Sequence, residues 1–564
     1  MLKLSSLKSQ SPATLLFKRS LHFFSGTMLS RMCGMIRDIS MAFSFGASDA
    51  VSLFMMAFRF SNLPRRLFGE GALQSIIIAR YEQLKTTSPR KSQQECMRPA
   101  AQFYLDSALS WALIIFGIIS LIIYPFIFLL ESSWVSGFLN HYNLCSYNTL
   151  FAITYFCKLM LPGLWFICMS AQNDAFIKSQ RHFLFVSSAP AIFNTVWIIF
   201  ALSLASFEHT KALPILSMGI VLAFASQWMA SQIRSILLLR KTFPAFTSLR
   251  PKLLSDNVKT LIRPLLLGII GVGALQINAL LDAMFALYAE LAGPSFLWYA
   301  IRIEQAPLSL IGMAIASASL PCLAKAIKDA DFQRAKQLFT LSQDTLRVAI
   351  IMTASALFAL GLPVLRLILE HGEFTSYQSL RTAQCLWAYT LGLTPHCLVF
   401  LYQNALFSLN HVRAVTSASL ISVVVNCALN AIFIFIFHMS ALSVALSTSI
   451  AAFVQLYFLK RYLKNECPSI VPATCNIRLL KEILLLGVSW VFAIICHSYV
   501  YTLNIDLFLS TTCQECMTKA TLWERALDCL YTFSLWSLFY LSLATALGIS
   551  PLSKRKNMAI KKAD

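Results

Sequence analysis

One strongly apolar stretch near the start of the chain, residues 27–82, carries five arginines and three acidic residues ahead of its last three positions, which are Arg80, Tyr81 and Glu82. Charged side chains are costly at membrane depth, so they normally face a cavity, water or a partner. We therefore interpret this stretch as two helices that line a cationic, water-filled chamber for an anionic substrate. The charged residues are Arg31, Arg37, Asp38, Asp49, Arg59, Arg65, Arg66 and Glu70.

The composition shows what kind of element positions these charges. Of the 564 residues, 57% are hydrophobic and 13% are charged, and the mean hydropathy is +0.67. A soluble chain carries about 25% charged residues. Apolar blocks close to the roughly 20 residues of a spanning helix recur along the sequence, and strand-like alternation is absent. The sequence predicts an all-α polytopic membrane protein without a cleavable secretion signal.

The distribution of Lys and Arg predicts about fourteen transmembrane helices with both termini in the cytoplasm. Cytoplasmic connections carry excess basic residues. The two termini and the even-numbered connections hold 33 Lys and Arg, whereas the odd-numbered connections hold five. This orientation signal accounts for most of the net charge of +21. It implies anionic membrane lipids as partners and makes a nucleic-acid partner unnecessary.

A short repeat divides the predicted helices into two sets. Residues 57–64, AFRFSNLP, and residues 300–307, AIRIEQAP, share the pattern A-[FI]-R-[FI]-x-x-x-P. Both fall in the second helix of a six-helix block, which predicts two parallel lobes with a substrate site between them. Arg59 and Arg302 are then quasi-equivalent. The predicted divisions are an N-lobe at 1–240, a C-lobe at 241–465, and two further helices with a basic tail at 466–564.

Three polar residues in predicted helices 7 and 11 could hold a coupling ion. Asp282 is central to one helix, and Asn426 and Asn430 lie four residues apart on one face of the other. A carboxylate with amide oxygens suits a hard monovalent cation such as Na⁺. The alternative is hydrogen bonding between helices, which is common in membrane bundles.

Two polar motifs in predicted outer connections give only weak indications of a metal site or a disulfide. Residues 370–373, EHGE, lack the helical histidine spacing of a zinc hydrolase, and we expect a solvated loop. Cys513 and Cys516 could form a disulfide or half a metal site, although no second ligand pair is nearby. No nucleotide-binding loop or catalytic cluster is evident, so we expect a protein that is not an enzyme and has no resident cofactor.

Several segments resemble the MurJ/MviN lipid II flippases of the multidrug/oligosaccharidyl-lipid/polysaccharide exporter superfamily. SRMCGMIRD, FGASDA and AFRFSNLPRRLFGEGA resemble the N-terminal signature of that family. WYAIRIEQAPLSLIGMAIASASLPCLAKA resembles its helix 8, HGEFTSYQSLRTAQCLWAYTLGL its helices 9 and 10, and ALFSLNHVRAV the turn that follows. The resemblance extends to about residue 465.

The resemblance implies a monomeric bacterial inner-membrane flippase that works by alternating access. It would move lipid II, the undecaprenyl-diphosphate-linked peptidoglycan precursor, to the periplasmic leaflet, with other cell-wall synthesis proteins as possible partners. Asp49 and Glu70 would act in gates or ion pairs, and Na⁺ would bind between helices 7 and 11. The residues that would contact substrate are Arg31, Arg37, Arg59, Arg65, Arg66 and Arg302.

One departure from the family pattern concerns the acid that follows the helix 8 arginine. The resemblance implies an acid three residues after Arg302, but Gln305 occupies that position and the acid is Glu304. One residue turns a helical face by about 100°, so the sequence does not carry the family's role over to Glu304.

Three other functions remain as alternatives. Another exporter of the superfamily could move organic cations or a different lipid-linked sugar, although cation exporters require carboxylates in the chamber. A membrane enzyme acting on undecaprenyl phosphate would need a catalytic cluster. In a non-transporting scaffold, the chamber arginines would be dispensable.

Overall fold

The computed structural model of the protein describes residues 12–64, 72–84, 93–132, 146–243, 248–470 and 522–546, with 484, 487, 488 and 491. Helices dominate these residues, and none of them lies in a β-strand. Within the described ranges, nine helical segments are long and apolar enough to cross a membrane. The predicted all-helical membrane class is thereby confirmed, whereas the count of fourteen stays a prediction.

The described residues in the first half of the chain form eight α-helices, with the π-helical turn Ile119–Ile123 between the fourth and the fifth. They are α1 (Pro12–Phe45), α2 (Asp49–Pro64), α3 (Ala72–Leu84), α4 (Gln93–Ile118), α5 (Tyr124–Leu130), α6 (Tyr147–Ser179), α7 (Phe183–Ser203) and α8 (His209–Thr242).

The described part of the second half forms eight more, with π-helical turns at Leu308–Met313 and Ile432–Ile436. They are α9 (Asp256–Ala289), α10 (Gly293–Pro307), α11 (Ala314–Lys328), α12 (Phe332–Leu369), α13 (Ser376–Ser408), α14 (Val412–Ala431), α15 (Leu442–Glu466) and α16 (Leu522–Ala546).

Helix packing divides the described residues into two units. The first unit contains the residues up to Phe45 together with Ala50–Leu280, and the second contains Gly46–Asp49 and the residues from Leu281 onward. Helix α9 begins in the first unit and ends in the second. The lobe boundaries at 240 and 465 stay predictions, and the thirteenth predicted helix, residues 482–503, lies largely outside the described residues.

The first unit is held together by long helix pairs, aromatic contacts and buried amides. Helix α1 packs along α7, and α6 packs along α8. The Tyr104 hydroxyl donates to Asn173 Oδ1 over 2.9 Å, and the Asn173 amide donates to Gln232 Oε1 over 2.9 Å. These bonds join α4, α6 and α8, because buried polar groups are stable only when they are hydrogen-bonded.

The second unit is built around α13, which packs against α10, α12 and α15. Its apolar core includes Leu346 and Ile350 of α12, with Leu393 and Cys397 of α13. Helix α16 packs on α12, where Trp536 and Tyr540 contact Ile351 and its neighbours.

The short connection before α2 requires a glycine. Gly46 has φ +63°, and a Cβ placed there would lie 2.5 Å from the Glu373 carbonyl oxygen. An L-residue is strained at that φ and would also clash with the backbone. The Ala47 N–H donates to Gln378 Oε1, and the Tyr299 hydroxyl donates to the Gly46 carbonyl. The FGASDA segment is thus held against α10 and the start of α13.

Candidate substrate-binding and ion-binding residues

Arg37 of α1 lies in a buried polar cluster of the first unit. Its Nη2 and Nε donate to Asp38 Oδ1 over 2.7 and 3.1 Å, and its Nη1 donates to Asn194 Oδ1 over 3.0 Å. The guanidinium also lies 4.8 Å from the centre of the Trp197 ring. Asp38 neutralises this arginine in the observed state, and α7 supplies the other partners.

The other described arginines of the candidate site are more accessible than Arg37. Arg31 is exposed on α1, and Arg59 is half-buried on α2, where its Nη1 lies 3.5 Å from the Ala279 carbonyl oxygen. Arg302 is half-buried on α10, with its guanidinium 4.5 Å from the centre of the Trp298 ring. A cation over an aromatic face is stabilised by the ring quadrupole.

The predicted acidic gate residues are described only in part. Asp49 is exposed in the first turn of α2, where a negative charge is favoured by the helix dipole. Arg65, Arg66 and Glu70 lie outside the described residues.

The structure brings the three candidate ion-binding residues of the second unit together. Asp282 Oδ1 accepts hydrogen bonds from Asn426 Nδ2 over 2.7 Å and from Asn430 Nδ2 over 2.9 Å. The helical spacing had placed the two asparagines on one face, and that face meets α9. These contacts are hydrogen bonds between helices, which is the alternative that the sequence offered to an ion site. The donor set suits a hard cation once the amide oxygens face the carboxylate.

A buried acid of α10 was given no role from the sequence. Glu304 is 3% exposed, and its Oε1 lies 3.9 Å from Nδ1 of His396 on α13. The one feature of the sequence that drew attention to Glu304 was its position, one residue earlier than the acid of the family pattern. The histidine could not be found from the sequence, because helical spacing does not identify the neighbour across an interface.

Two ion-pair clusters of the second unit also escaped the sequence analysis. Arg381 Nη2 donates to both carboxylate oxygens of Glu290 over 2.8 Å, and the Ala441 N–H donates to Glu290 Oε1 over 3.0 Å. These contacts join the C-terminal end of α9, the first turns of α13 and the residue before α15.

The second cluster surrounds Glu370, which corrects the prediction of a solvated EHGE loop at its first residue, whereas Gly372 and Glu373 are exposed as predicted. Glu370 is 5% exposed, and its carboxylate lies 3.6 Å from Arg366 Nε and 3.4 Å from Arg525 Nη2. The Ser376 hydroxyl donates to Glu370 Oε1 over 2.6 Å. The loop prediction failed because the cationic partners come from one turn earlier on α12 and from the distant α16.

The remaining intramembrane basic residues have contacts near helix ends. Lys158 pairs with Glu131 and lies 4.4 Å from the centre of the Phe128 ring. Arg234 Nη2 lies 3.1 Å from Nδ1 of His182, which stands in the turn between α6 and α7. Burial, together with the charge of Arg234, lowers the pKa of His182.

No metal-binding group of three or more His, Cys, Asp or Glu side chains occurs among the described residues. Cys513 and Cys516 lie outside that part of the chain, so their pairing stays a prediction.

Comparison with known proteins identifies relatives over most of the chain. A family model described as "Lipid II flippase MurJ" matches residues 41–512. A probable lipid II flippase MurJ of Chlamydia muridarum is 28% identical over 441 residues, which cover 78% of this chain and 76% of the relative. One of Rickettsia prowazekii is 24% identical over 498 residues, or 86% of this chain and 91% of the relative.

Solved structures share the fold. A lipid II flippase MurJ in an inward closed conformation has a TM-score of 0.66 at 22% identity, covering 92% of this chain and 99% of that one. An inward-facing multidrug resistance MATE family transporter of the MOP superfamily has a TM-score of 0.59 at 11% identity, covering 79% and 98%. At these identities the likeness concerns the fold alone.

Proposed function

This chain belongs to the lipid II flippase MurJ family, and from that premise we propose that it moves lipid II from the cytoplasmic to the periplasmic leaflet of the bacterial inner membrane. The observation that carries the proposal is the family match over residues 41–512, which includes most of the described helices. The chain is a multi-pass membrane protein of a transporter family rather than of a catalytic enzyme family.

The arginines of α1, α2 and α10 are the proposed contacts of the substrate diphosphate. A guanidinium binds a phosphate oxygen pair through two parallel hydrogen bonds. Arg31 is exposed and Arg302 is half-buried, so neither requires unfolding to be reached. We propose that Arg65 and Arg66 belong to the same set, and that Asp49 and Glu70 form ion pairs that change between conformations.

Arg37 has a different proposed role within this set. Its bonds to Asp38 and Asn194 neutralise and fix it in the observed state. A phosphate would have to compete with Asp38 for the guanidinium. We therefore propose that Arg37 contacts substrate only in a conformation where the Asp38 pair has opened, which would couple binding to movement of α1 against α7.

Alternating access through a cationic central cavity is the proposed mechanism. It is supported by the repeated motif that places Arg59 and Arg302 at equivalent points of two six-helix lobes. The proposed orientation, with both termini in the cytoplasm, rests on the excess of Lys and Arg in alternate connections. Lipid headgroups of the anionic inner leaflet would contact those same basic residues.

The Asp282 triad is the proposed site of a coupling Na⁺ ion. In the observed state the amide nitrogens of Asn426 and Asn430 satisfy Asp282. Rotation of the two amides would turn their oxygens toward the carboxylate and offer three oxygen ligands. A bound cation would then replace the amide donors as the partner of Asp282 and link α9 to α14.

A second candidate function is export of another substrate by the same fold, because a multidrug transporter shares the architecture at a TM-score of 0.59. Organic cations would be repelled by the accessible arginines, which argues against that class. A different lipid-linked diphosphate would satisfy the same arginines and differs only in its glycan.

Rescue of bacteria depleted of their own lipid II flippase tests the proposal. We expect the parent chain to restore lipid II translocation and growth, and Arg302→Ala to restore neither at equal membrane abundance. Arg250→Ala is the matched control, because that exposed arginine contributes its main-chain carbonyl to Gln102 rather than its charge. Membrane insertion of the parent without rescue would contradict the proposal.

A further inference from the structure

Glu304 is a buried acid whose hydrogen bonding is incomplete. It is 3% exposed on α10, one turn before the π-helical turn Leu308–Met313, and its Oε1 has no hydrogen-bond partner among the described residues. Buried carboxyl oxygens are normally hydrogen-bonded, and those that are not call for an explanation. π-Helical turns occur frequently at functional sites.

His396 of α13 faces this acid. Its Nδ1 lies 3.9 Å from Glu304 Oε1, which is beyond hydrogen-bond distance, and within the described part of the chain it also has no hydrogen-bond partner. The helices are close here, because a Cβ at Gly312 would lie 2.6 Å from Cys397 Sγ. Two polar atoms that share no bond are therefore held opposite each other by tight packing.

Among the described residues, Glu304 forms no ion pair with a lysine or an arginine. Helix α13 and the adjoining π-helical turn pack on α10. The titratable group of α13 beside His396 is the Cys397 thiol, which lies within electrostatic range of Glu304. Arg381 of α13 is engaged with Glu290. Arg302 stands two residues before Glu304, about 200° around the helix, so the side chains point to opposite faces.

The pair can hold one proton without acquiring net charge. A protonated carboxyl beside a neutral imidazole is neutral, and so is a carboxylate beside an imidazolium. Loss of that proton leaves a net negative charge in a buried site, which costs several kcal/mol unless water or a cation reaches it. The proton is therefore retained while α10 and α13 stay packed, and it is released when a conformational change admits water.

We propose that Glu304 and His396 form a proton-binding site that takes up and releases one proton in each transport cycle. The proton comes from water on one side and returns to water on the other, and no other bond is made or broken. This coupling rests on the proposed movement of lipid II, but the site itself does not. It is separate from the Asp282 triad, which lies on α9 and α14.

The first test counts protons in the absence of lipid II. The full chain in phosphatidylcholine nanodiscs is titrated between pH 5 and pH 9 beside Glu304→Gln and the control Glu373→Gln. Glu373 is exposed and lies outside the Glu304–His396 pair, so its replacement leaves that pair unchanged. We expect Glu304→Gln to bind one proton fewer than the parent and Glu373→Gln to match it. Superimposable curves would overturn the site. If Glu304→Gln does not fold, Glu304→Met replaces it.

The second test asks whether that proton drives transport. Proteoliposomes with fluorescent lipid II are held at zero membrane potential and without Na⁺, and a gradient of one pH unit is imposed in each direction. One coupled proton is expected to shift the leaflet distribution up to about tenfold in the parent, since one pH unit is worth about 1.4 kcal/mol. In Glu304→Gln and His396→Asn, the distribution of lipid II between the leaflets should not depend on the pH gradient.

The outcomes separate the two proposals. Lipid II movement that is insensitive to the gradient in the parent overturns proton coupling and leaves the flippase intact. Absence of lipid II movement under every gradient, and again after Na⁺ is restored, contradicts the flippase, and the titration alone then decides whether the proton site exists.

Discussion

The buried acids of the second unit are of two kinds. Glu290 accepts two hydrogen bonds from Arg381 and one from the Ala441 N–H, and Glu370 is paired with two arginines and a serine. Glu304 instead faces a histidine across 3.9 Å without a hydrogen bond. The first kind has its charge fixed by its neighbours and joins helices. The second kind has neighbours that leave its protonation free to change.

This difference separates groups that maintain the fold from groups that can take part in a cycle. A saturated buried ion pair is costly to break, because removing one partner leaves the other charge without compensation. An acid with few bonds loses little when it is replaced by a neutral amide. Stability measurements on matched variants therefore sort the acids independently of any transport assay.

Arg381→Ala should give the largest loss of stability. It leaves Glu290 with a single N–H donor, and breaking a buried pair costs about 3–5 kcal/mol. We expect a clear fall in the unfolding temperature of the detergent-solubilised protein. Lys211→Ala is the control, because its pair with Glu208 is exposed and spans 4.0 Å, and it should change little. Equal effects would remove the distinction between saturated and exposed pairs.

Arg525→Ala should have the next largest effect. Glu370 keeps Arg366, so the loss is smaller, about 1–3 kcal/mol. The variant removes the ion pair that joins α16 to the end of α12. Hydrogen exchange should therefore rise within residues 522–546 and stay unchanged in α6. An equal rise in hydrogen exchange in residues 522–546 and in α6 would show that the Glu370 cluster stabilises the protein as a whole and not only the attachment of α16.

Asp282→Asn tests an acid of intermediate kind, which accepts hydrogen bonds from two amide donors. Hydrogen bonds between membrane helices contribute about 0.6–2 kcal/mol, so a modest fall in unfolding temperature is expected. If the triad binds Na⁺, the parent should also be stabilised by NaCl relative to KCl, and the variant should not. A sodium effect that persists in Asp282→Asn would place the cation elsewhere.

Glu304→Gln should have the smallest effect on stability, within about 0.5 kcal/mol of the parent, because Glu304 Oε1 has no hydrogen-bond partner among the described residues and the amide has nearly the same shape. Thermal unfolding at neutral pH measures this directly. A fall as large as that of Arg381→Ala would reclassify Glu304 as a structural acid.

Local patterns in the sequence predicted the helical class and the shared face of Asn426 and Asn430. Those predictions depend on periodicity within one helix, which apolar spacing records. Because α9 and α14 are adjacent in the structure, Asp282 contacts both asparagines on that shared face. Binding of Na⁺ at this point, like the role of each arginine, stays a prediction.

Contacts across helices could not be predicted in the same way. Nothing in the spacing of α1 indicates that Arg37 meets Asn194, or that Glu304 faces His396, because the partners are far apart in sequence. The EHGE segment was misjudged for the same reason, since Arg525 follows Glu370 by 155 positions. Partner identity depends on which helices pack together, and a single sequence does not specify that.

Movement of lipid II by the purified chain is the most direct test of the central claim. Fluorescent lipid II is incorporated into proteoliposomes, and the fraction accessible to a membrane-impermeant quencher is followed over time. We predict that the folded parent exchanges lipid II between leaflets faster than protein-free vesicles, and that Arg302→Ala does so much more slowly. Exchange no faster than in protein-free vesicles, with the parent shown to be folded, would contradict the account.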